Sequence, residues 1–299
     1  MSDFHLDFIC AGFNKCGTSS LHSVLKRIPA VQLPLNKKET GFFGWYQNYP
    51  DPVEKFQERY FPFRRQKAVA LGSVEPSFMK NAENVYKYFG KDLKLIFMIR
   101  NPMAASWSMF KMRLRRLRGS RYVALYRPEY KNDIHLMFRK YIDEFIVTKE
   151  EPDYFYDMWI SEFLKYYPQE QIRYIVFENF IRNYESEMQA LGEFLQIPIT
   201  KLRKLPVSNE GNLISRNLYT ARINHKLYKY SITLRGKGTN YEKIWNQQIM
   251  PFIEKFTMKE CSDKLSAENR QILGEVYRES VCRTSEMTGL PLEEYWYGK

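Results

Sequence analysis

At 299 residues the chain is long enough to bury a large core, and the absence of low-complexity linkers or internal repeats points to a single domain over residues 1–299. Lys and Arg total 46 against 34 Asp and Glu, a formal charge of +12 that favours anionic partners, while no tandem basic-aromatic pattern of a nucleic-acid binder is present. No run approaches the ~20 apolar residues of a membrane span, the first residues lack a basic region followed by an apolar stretch, and Cys10, Cys16, Cys261 and Cys282 show no metal or disulfide spacing, which together predict a cytoplasmic protein without a metal centre.

The first predicted element is a strand ending at Gly12, followed by a tight loop with Lys15, Cys16 and Gly17 and a helix opened by Thr18, Ser19 and Ser20. Glycine lets the backbone approach a ligand closely, and the first turn of a helix leaves amides unpaired, so residues 15–20 are suited to surrounding an anion. Gly12 and Gly17 stand five apart, as in a nucleotide-binding P-loop, but Thr18 occupies the place of the lysine that such a loop sets on ATP. Cys16 reads as a small residue filling the loop or, alternatively, as a thiol activated by Lys15 and the helix dipole.

The first helix, over residues 20–28, ends at Pro29, and a short extended run at residues 31–33 leads to Lys37-Lys38-Glu39, a charged cluster abutting Phe42 and Phe43. Residues 53–60 read as a helix, residues 68–74 as a buried strand stopped by Pro76 with Glu75 at its end, and residues 84–89 as a helix. Residues 93–99 form the clearest strand, apolar enough to be covered on both faces, and it delivers Arg100 where a Walker B strand would end in Asp. A helix after Pro102 places Ser108 two turns beyond Arg100, and an arginine fork with a hydroxyl suits a phosphate.

Lys111, Arg113, Arg115, Arg116 and Arg118 continue that helix as a basic run, read as a solvated face or as a patch for an anionic surface or acidic glycan. Helices over residues 132–147 and 154–167 follow, then a parallel-type strand over residues 172–178 and a helix over residues 184–195. Residues 266–287 form a capped amphipathic helix.

Lys15, Gly17, Thr18 and Ser19 match the Lys-x-Gly-Thr-[Ser/Thr] loop of the sulfotransferases that use 3'-phosphoadenosine 5'-phosphosulfate (PAPS), and Arg100-Asn-Pro with Ser108 resembles their 3'-phosphate motif. Lys38-Glu39-x-x-Phe42-Phe43 resembles the segment carrying the catalytic glutamate in heparan-sulfate-type and related bacterial carbohydrate sulfotransferases. The resemblance spans Leu6 to Pro198 and implies an α/β, P-loop-like domain with a central parallel sheet flanked by helices. It implies transfer of a sulfuryl group from PAPS, leaving 3',5'-ADP and needing no metal, to a hydroxyl or amine on a carbohydrate or glycoconjugate. A small-molecule or lipid alcohol is the alternative acceptor, and a P-loop nucleotide kinase the alternative class.

The same resemblance makes Glu39 the general base and gives Lys15 the charge developing at the leaving phosphate. Lys15, Cys16, Gly17, Thr18, Ser19 and Ser20 then surround the 5'-phosphate, while Arg100 and Ser108 hold the 3'-phosphate. After Pro206, Arg216, Arg235 and Lys237 are candidates for a basic loop over the nucleotide. The chain departs from the family at Val74 and Glu75, where a lysine and a hydroxyl residue are usual, at Gly41, where the heparan group carries histidine, and at Ala105, where arginine is frequent. Lys38 or Lys80 is expected to supply the lost charge.

Overall fold

A computed structural model describes residues 4–35, 37–43, 53–117, 119–199, 213–234 and 240–298. In chain order they form β1 (Phe8–Gly12), α1 (Thr18–Leu25), β2 (Val31–Gln32), α2 (Val53–Tyr60), β3 (Ala70–Val74), α3 (Ala82–Phe89), β4 (Lys94–Ile99) and α4 (Pro102–Arg116). There follow α5 (Ser120–Ala124), α6 (Ile134–Tyr141), α7 (Tyr156–Leu164), β5 (Ile172–Val176), α8 (Phe177–Arg182) and α9 (Tyr184–Leu195). The last elements are β6 (Leu213–Ser215), α10 (Leu218–Leu234), α11 (Asn240–Ile244), α12 (Met250–Thr257), β7 (Met258–Glu260), α13 (Ala267–Thr288) and α14 (Leu292–Tyr297).

The chain divides into two compact units, the first made of Met1–Ala105, Asp153–Ser208 and Tyr277–Lys299, the second of Ser106–Pro152 and Asn209–Val276. The first unit holds a five-stranded sheet in the order β2-β3-β1-β4-β5, and every pairing in it is parallel. Parallel strands need crossovers that put helices on the sheet faces, which is why β1, β3 and β4 are buried almost throughout and read as apolar runs. The chain moves outward from β1 to β2, returns through β3, and then crosses to β4 on the other side of β1. Such a switch opens a crevice at the carboxyl ends of the strands on either side of it. The residues that follow β1, β3 and β4 all lie at that edge.

The local start of α1 follows from Gly17, whose φ of +91° lies in the left-handed region and whose added Cβ would stand 2.3 Å from the Phe177 ring. The helix therefore begins at Thr18, two residues earlier than the hydrophobic periodicity predicts. β5 ends at Val176, and Phe177 opens α8 directly, so Glu178 is helical rather than the last strand residue. The expected helix over residues 132–147 is α6 continued by a π turn at Ile142–Ile146.

In the second unit, β6 and β7 pair antiparallel. Its core holds the buried carboxylate of Glu151, which accepts hydrogen bonds from Tyr141 Oη at 2.6 Å, from Arg113 Nε at 3.0 Å and from Tyr122 Oη. Burial alone would raise the Glu151 pKa, but Arg113 and the two hydroxyls outweigh it and hold the group below its ordinary value. No helix among the described residues is long and apolar enough to cross a membrane.

Candidate functional site

The loop between β1 and α1 is bent by Lys15, which adopts a left-handed φ of 62°, and by Gly17. A non-glycine residue in that region is strained and persists only where its surroundings hold it. Two tyrosines supply that hold. Tyr154 Oη donates to the Asn14 carbonyl at 3.1 Å, and Tyr156 Oη donates to the Arg100 carbonyl at 2.7 Å while accepting from the Arg100 amide at 3.3 Å. The Cys16 sulfur lies 3.4 Å from the same Tyr156 oxygen, which ties loop and strand end together.

Cys16 faces inward: it is fully buried, its amide donates to the Phe13 carbonyl at 3.3 Å, and burial pushes its thiol up to about 12. The activated-thiol alternative has no support in that environment, and Cys16 acts as a filling residue. α1, eight residues long, has no side-chain cap at Gly17, and Ser19 is exposed at its first turn while Thr18 is nearly buried. Uncapped amides, two hydroxyls and nearby cations make a donor set that fits a phosphate.

Arg100 follows β4 directly. One guanidinium nitrogen, Nη1, donates to the Lys15 carbonyl at 3.0 Å, and the guanidinium carbon lies 4.8 Å from the Phe177 ring centroid. That contact orients the arginine beside the loop and leaves most of its five donors for other acceptors. The next residue, Asn101, is fixed by Glu178 Oε1, which accepts from its amide at 3.0 Å.

Lys38 brings a cation to the loop hydroxyls. Its Nζ donates to Ser19 Oγ at 2.9 Å, to Thr18 Oγ1 at 3.5 Å and to Glu39 Oε1 at 2.8 Å. Lys80, the other expected source of charge, points elsewhere, pairing with Asp153 at 2.8 Å and lying 5.2 Å from the Trp159 ring. Glu39 is 43% exposed, and its Oε2 accepts no hydrogen bond from a described residue. An accessible carboxylate thus sits one lysine away from the helix start.

Glu39 owes its position to Glu75. That side chain is fully buried at the end of β3, and its carboxylate accepts from the Thr40 amide at 2.8 Å, from the Gly41 amide at 3.4 Å and from Ser73 Oγ at 2.7 Å. No cation offsets its desolvation among these partners, so burial pushes it up to about 7. Tyr60 Oη donates to the Thr40 carbonyl at 3.1 Å, and Phe43 packs on Phe78 with ring centroids 4.5 Å apart. The polar segment is therefore pinned from both sides.

Ser20, in the first unit, donates its amide to the Gly17 carbonyl at 2.9 Å, while Ser108 and Arg216 belong to the second unit. Ser108 lies half-buried on α4. Arg216 donates through its amide to the Thr257 carbonyl at 3.1 Å and through Nη2 to the Lys255 carbonyl at 3.4 Å, stitching β6 to the end of α12. In the basic run Arg113 is committed to Glu151 and Arg115 pairs with Glu254 at 3.6 Å. Arg118, Arg235 and Lys237 lie outside the described residues. Among the described residues no group of His, Cys, Asp and Glu is arranged to hold a metal ion.

A parallel sheet with an anion-fitting loop after one strand, an arginine after the adjacent strand and an exposed carboxylate beside the loop hydroxyls defines a P-loop-like α/β protein. Residues 5–285 match the family described as sulfotransferase domain. The chain belongs to the sulfotransferase family and is a transferase that uses a sulfuryl donor.

A sulfotransferase from Alicyclobacillus acidocaldarius is similar in fold, with a TM-score of 0.60 at 16% identity over 96% of each chain. Looser likenesses are sulfotransferase STF9 from Mycobacterium avium, at TM-score 0.48 and 12% identity over 94% of this chain and 77% of that one. Mouse sulfotransferase SULT7A1 complexed with PAP gives 0.43 and 13% over 99% and 89%. No curated protein sequence matches the chain significantly.

Proposed function

We propose that the sulfuryl donor is PAPS and that the acceptor is a hydroxyl on a carbohydrate or glycoconjugate. The observation that carries this reading is the position of Lys38, whose ammonium joins the hydroxyls at the start of α1 to the Glu39 carboxylate within 3.5 Å. When bound, PAPS supplies a sulfuryl group attached to a 5'-phosphate leaving group. The loop amides, Thr18 and Ser19 hold that phosphate, and Lys15 and Lys38 neutralise the charge that grows on it as its bond to sulfur breaks. Glu39 accepts the proton of the attacking hydroxyl at Oε2, the oxygen that Lys38 leaves open.

Arg100 is assigned to the 3'-phosphate because its planar, permanently charged fork follows β4 at the carboxyl edge. Incubation with radiolabelled PAPS and separate pools of oligosaccharides, small alcohols and lipid alcohols tests the reading. Label transfer to an oligosaccharide pool is expected, transfer only to an alcohol pool would replace the acceptor class, and transfer to none with intact donor would reject both.

A further inference from the structure

A cavity of about 480 Å³ lies in the first unit, between the outer face of α1 and residues 32–35, 37–38 and 62–65. Its walls include Lys26, Lys37, Lys38 and Arg65 with His22, and no carboxylate is among its described lining residues. Lys38 is paired with Glu39, while Lys26, Lys37 and Arg65 have no acidic partner among the described residues, so the cavity carries a positive field that favours counterions or an anionic ligand. Burial first, and then the charges of Lys38 and Lys26, push the His22 imidazole down to about 4.

The cavity is framed by polar contacts of its own. Gln32 at the end of β2 donates to the Phe63 carbonyl at 2.6 Å and accepts from the Arg65 amide at 2.7 Å, while the Arg65 guanidinium donates to the Val31 carbonyl. These bonds hold the 63–65 segment against the sheet edge and keep Phe63, 56% exposed, at the cavity rim. An exposed aromatic ring beside cations suits a ring-bearing ligand that carries negative charge. The volume is that of a site for a compound of drug or short-oligosaccharide size.

Lys38 belongs both to this cavity and to the reaction centre, since its ammonium bonds Ser19 and Glu39. A ligand seated among the cations therefore lies within one side chain of the proposed general base. We infer that this cavity binds the acceptor, and that the acceptor is a sugar acid: a hydroxylated ring compound that presents its alcohol to Glu39 and a separate carboxylate or sulfate to Lys26, Lys37 and Arg65. The inference rests on the proposed function for Glu39 and gives the acceptor its charge class.

Isothermal titration of the full chain with tetragalacturonate, cellotetraose and inorganic sulfate tests it, with 3',5'-ADP titrated in parallel. Tetragalacturonate is expected to bind at least tenfold more tightly than cellotetraose, and to weaken as salt rises. The double change Lys26→Gln, Lys37→Gln is expected to cost at least a further tenfold for tetragalacturonate while 3',5'-ADP affinity stays the same. Equal affinity for the neutral tetramer, no effect of the double change, or sulfate binding as tightly as tetragalacturonate would each overturn the assignment. If 3',5'-ADP fails to bind while tetragalacturonate binds in the predicted pattern, the donor reading falls and the cavity's ligand class stands.

Discussion

Replacing Glu75 with Gln tests the account of how the Glu39 segment is held, because it removes a buried charge while keeping the shape. The Glu75 pKa rises from an ordinary 4.5 to about 7 in the folded protein through burial. A carboxyl raised in this way adds no penalty below its unfolded value, and the fold loses stability as pH climbs from that value through the folded one. At up to ~1.4 kcal/mol for each pH unit, the charge costs roughly 3 kcal/mol by pH 8.

Gln retains one oxygen for the Thr40 amide and Ser73 Oγ but turns an amide group toward the Gly41 nitrogen, the longest of the contacts at 3.4 Å. That mismatch costs about 1 kcal/mol. The two proteins should thus be equally stable within ~1 kcal/mol near pH 5, and Glu75→Gln should be the more stable by roughly 2 kcal/mol at pH 8. Urea denaturation at pH 5, 6, 7 and 8 measures the difference directly. A difference that stays flat across that range, or favours the wild type more as pH rises, would show that Glu75 carries no such buried charge.

Further substitutions probe the site. Glu39→Gln should leave 3',5'-ADP affinity within about twofold and slow single-turnover sulfuryl transfer by ~10²–10⁴-fold, the range for a positioned base; near-normal transfer would remove Glu39 from that role. Lys38→Met should weaken 3',5'-ADP binding by roughly tenfold, as expected for one charge-assisted contact, and should depress turnover further; a variant with unchanged turnover would confine Lys38 to structure. Tyr156→Phe removes the hydroxyl shared by the Arg100 carbonyl, the Arg100 amide and Cys16, and should lower stability by about 1–3 kcal/mol while weakening 3',5'-ADP binding. Destabilisation with fully retained affinity would separate the tyrosine from the site.

Much of the frame was legible because its signals are local. The apolar runs at β1 and β4, the Gly17 turn and the arginine after β4 each declare themselves within a few residues, and the helices at 53–60 and 184–195 match their predicted bounds. What could not be read depends on distant partners. Glu75 is a departure from a family pattern in the sequence, and only the fold brings it to the Thr40 amide, 35 residues away. Tyr156 reads as one more core aromatic until Arg100, 56 residues away, is placed against its hydroxyl. Lys38 and Lys80 are equivalent in sequence as sources of the missing charge, and their packing separates them. The basic cavity has no sequence signal, since its cations come from three segments that are individually ordinary solvated stretches.

Recognition of a PAPS-type donor through its 3'-phosphate is measured by calorimetric titration of 3',5'-ADP and 5'-AMP into the wild type and Arg100→Ala. 3',5'-ADP is expected to bind the wild type more than tenfold more tightly than 5'-AMP does, since a charge-assisted contact contributes ~1.5–3 kcal/mol, and Arg100→Ala is expected to erase most of that preference. Equal binding of the two nucleotides by the wild type, or a preference that survives in Arg100→Ala, would contradict it.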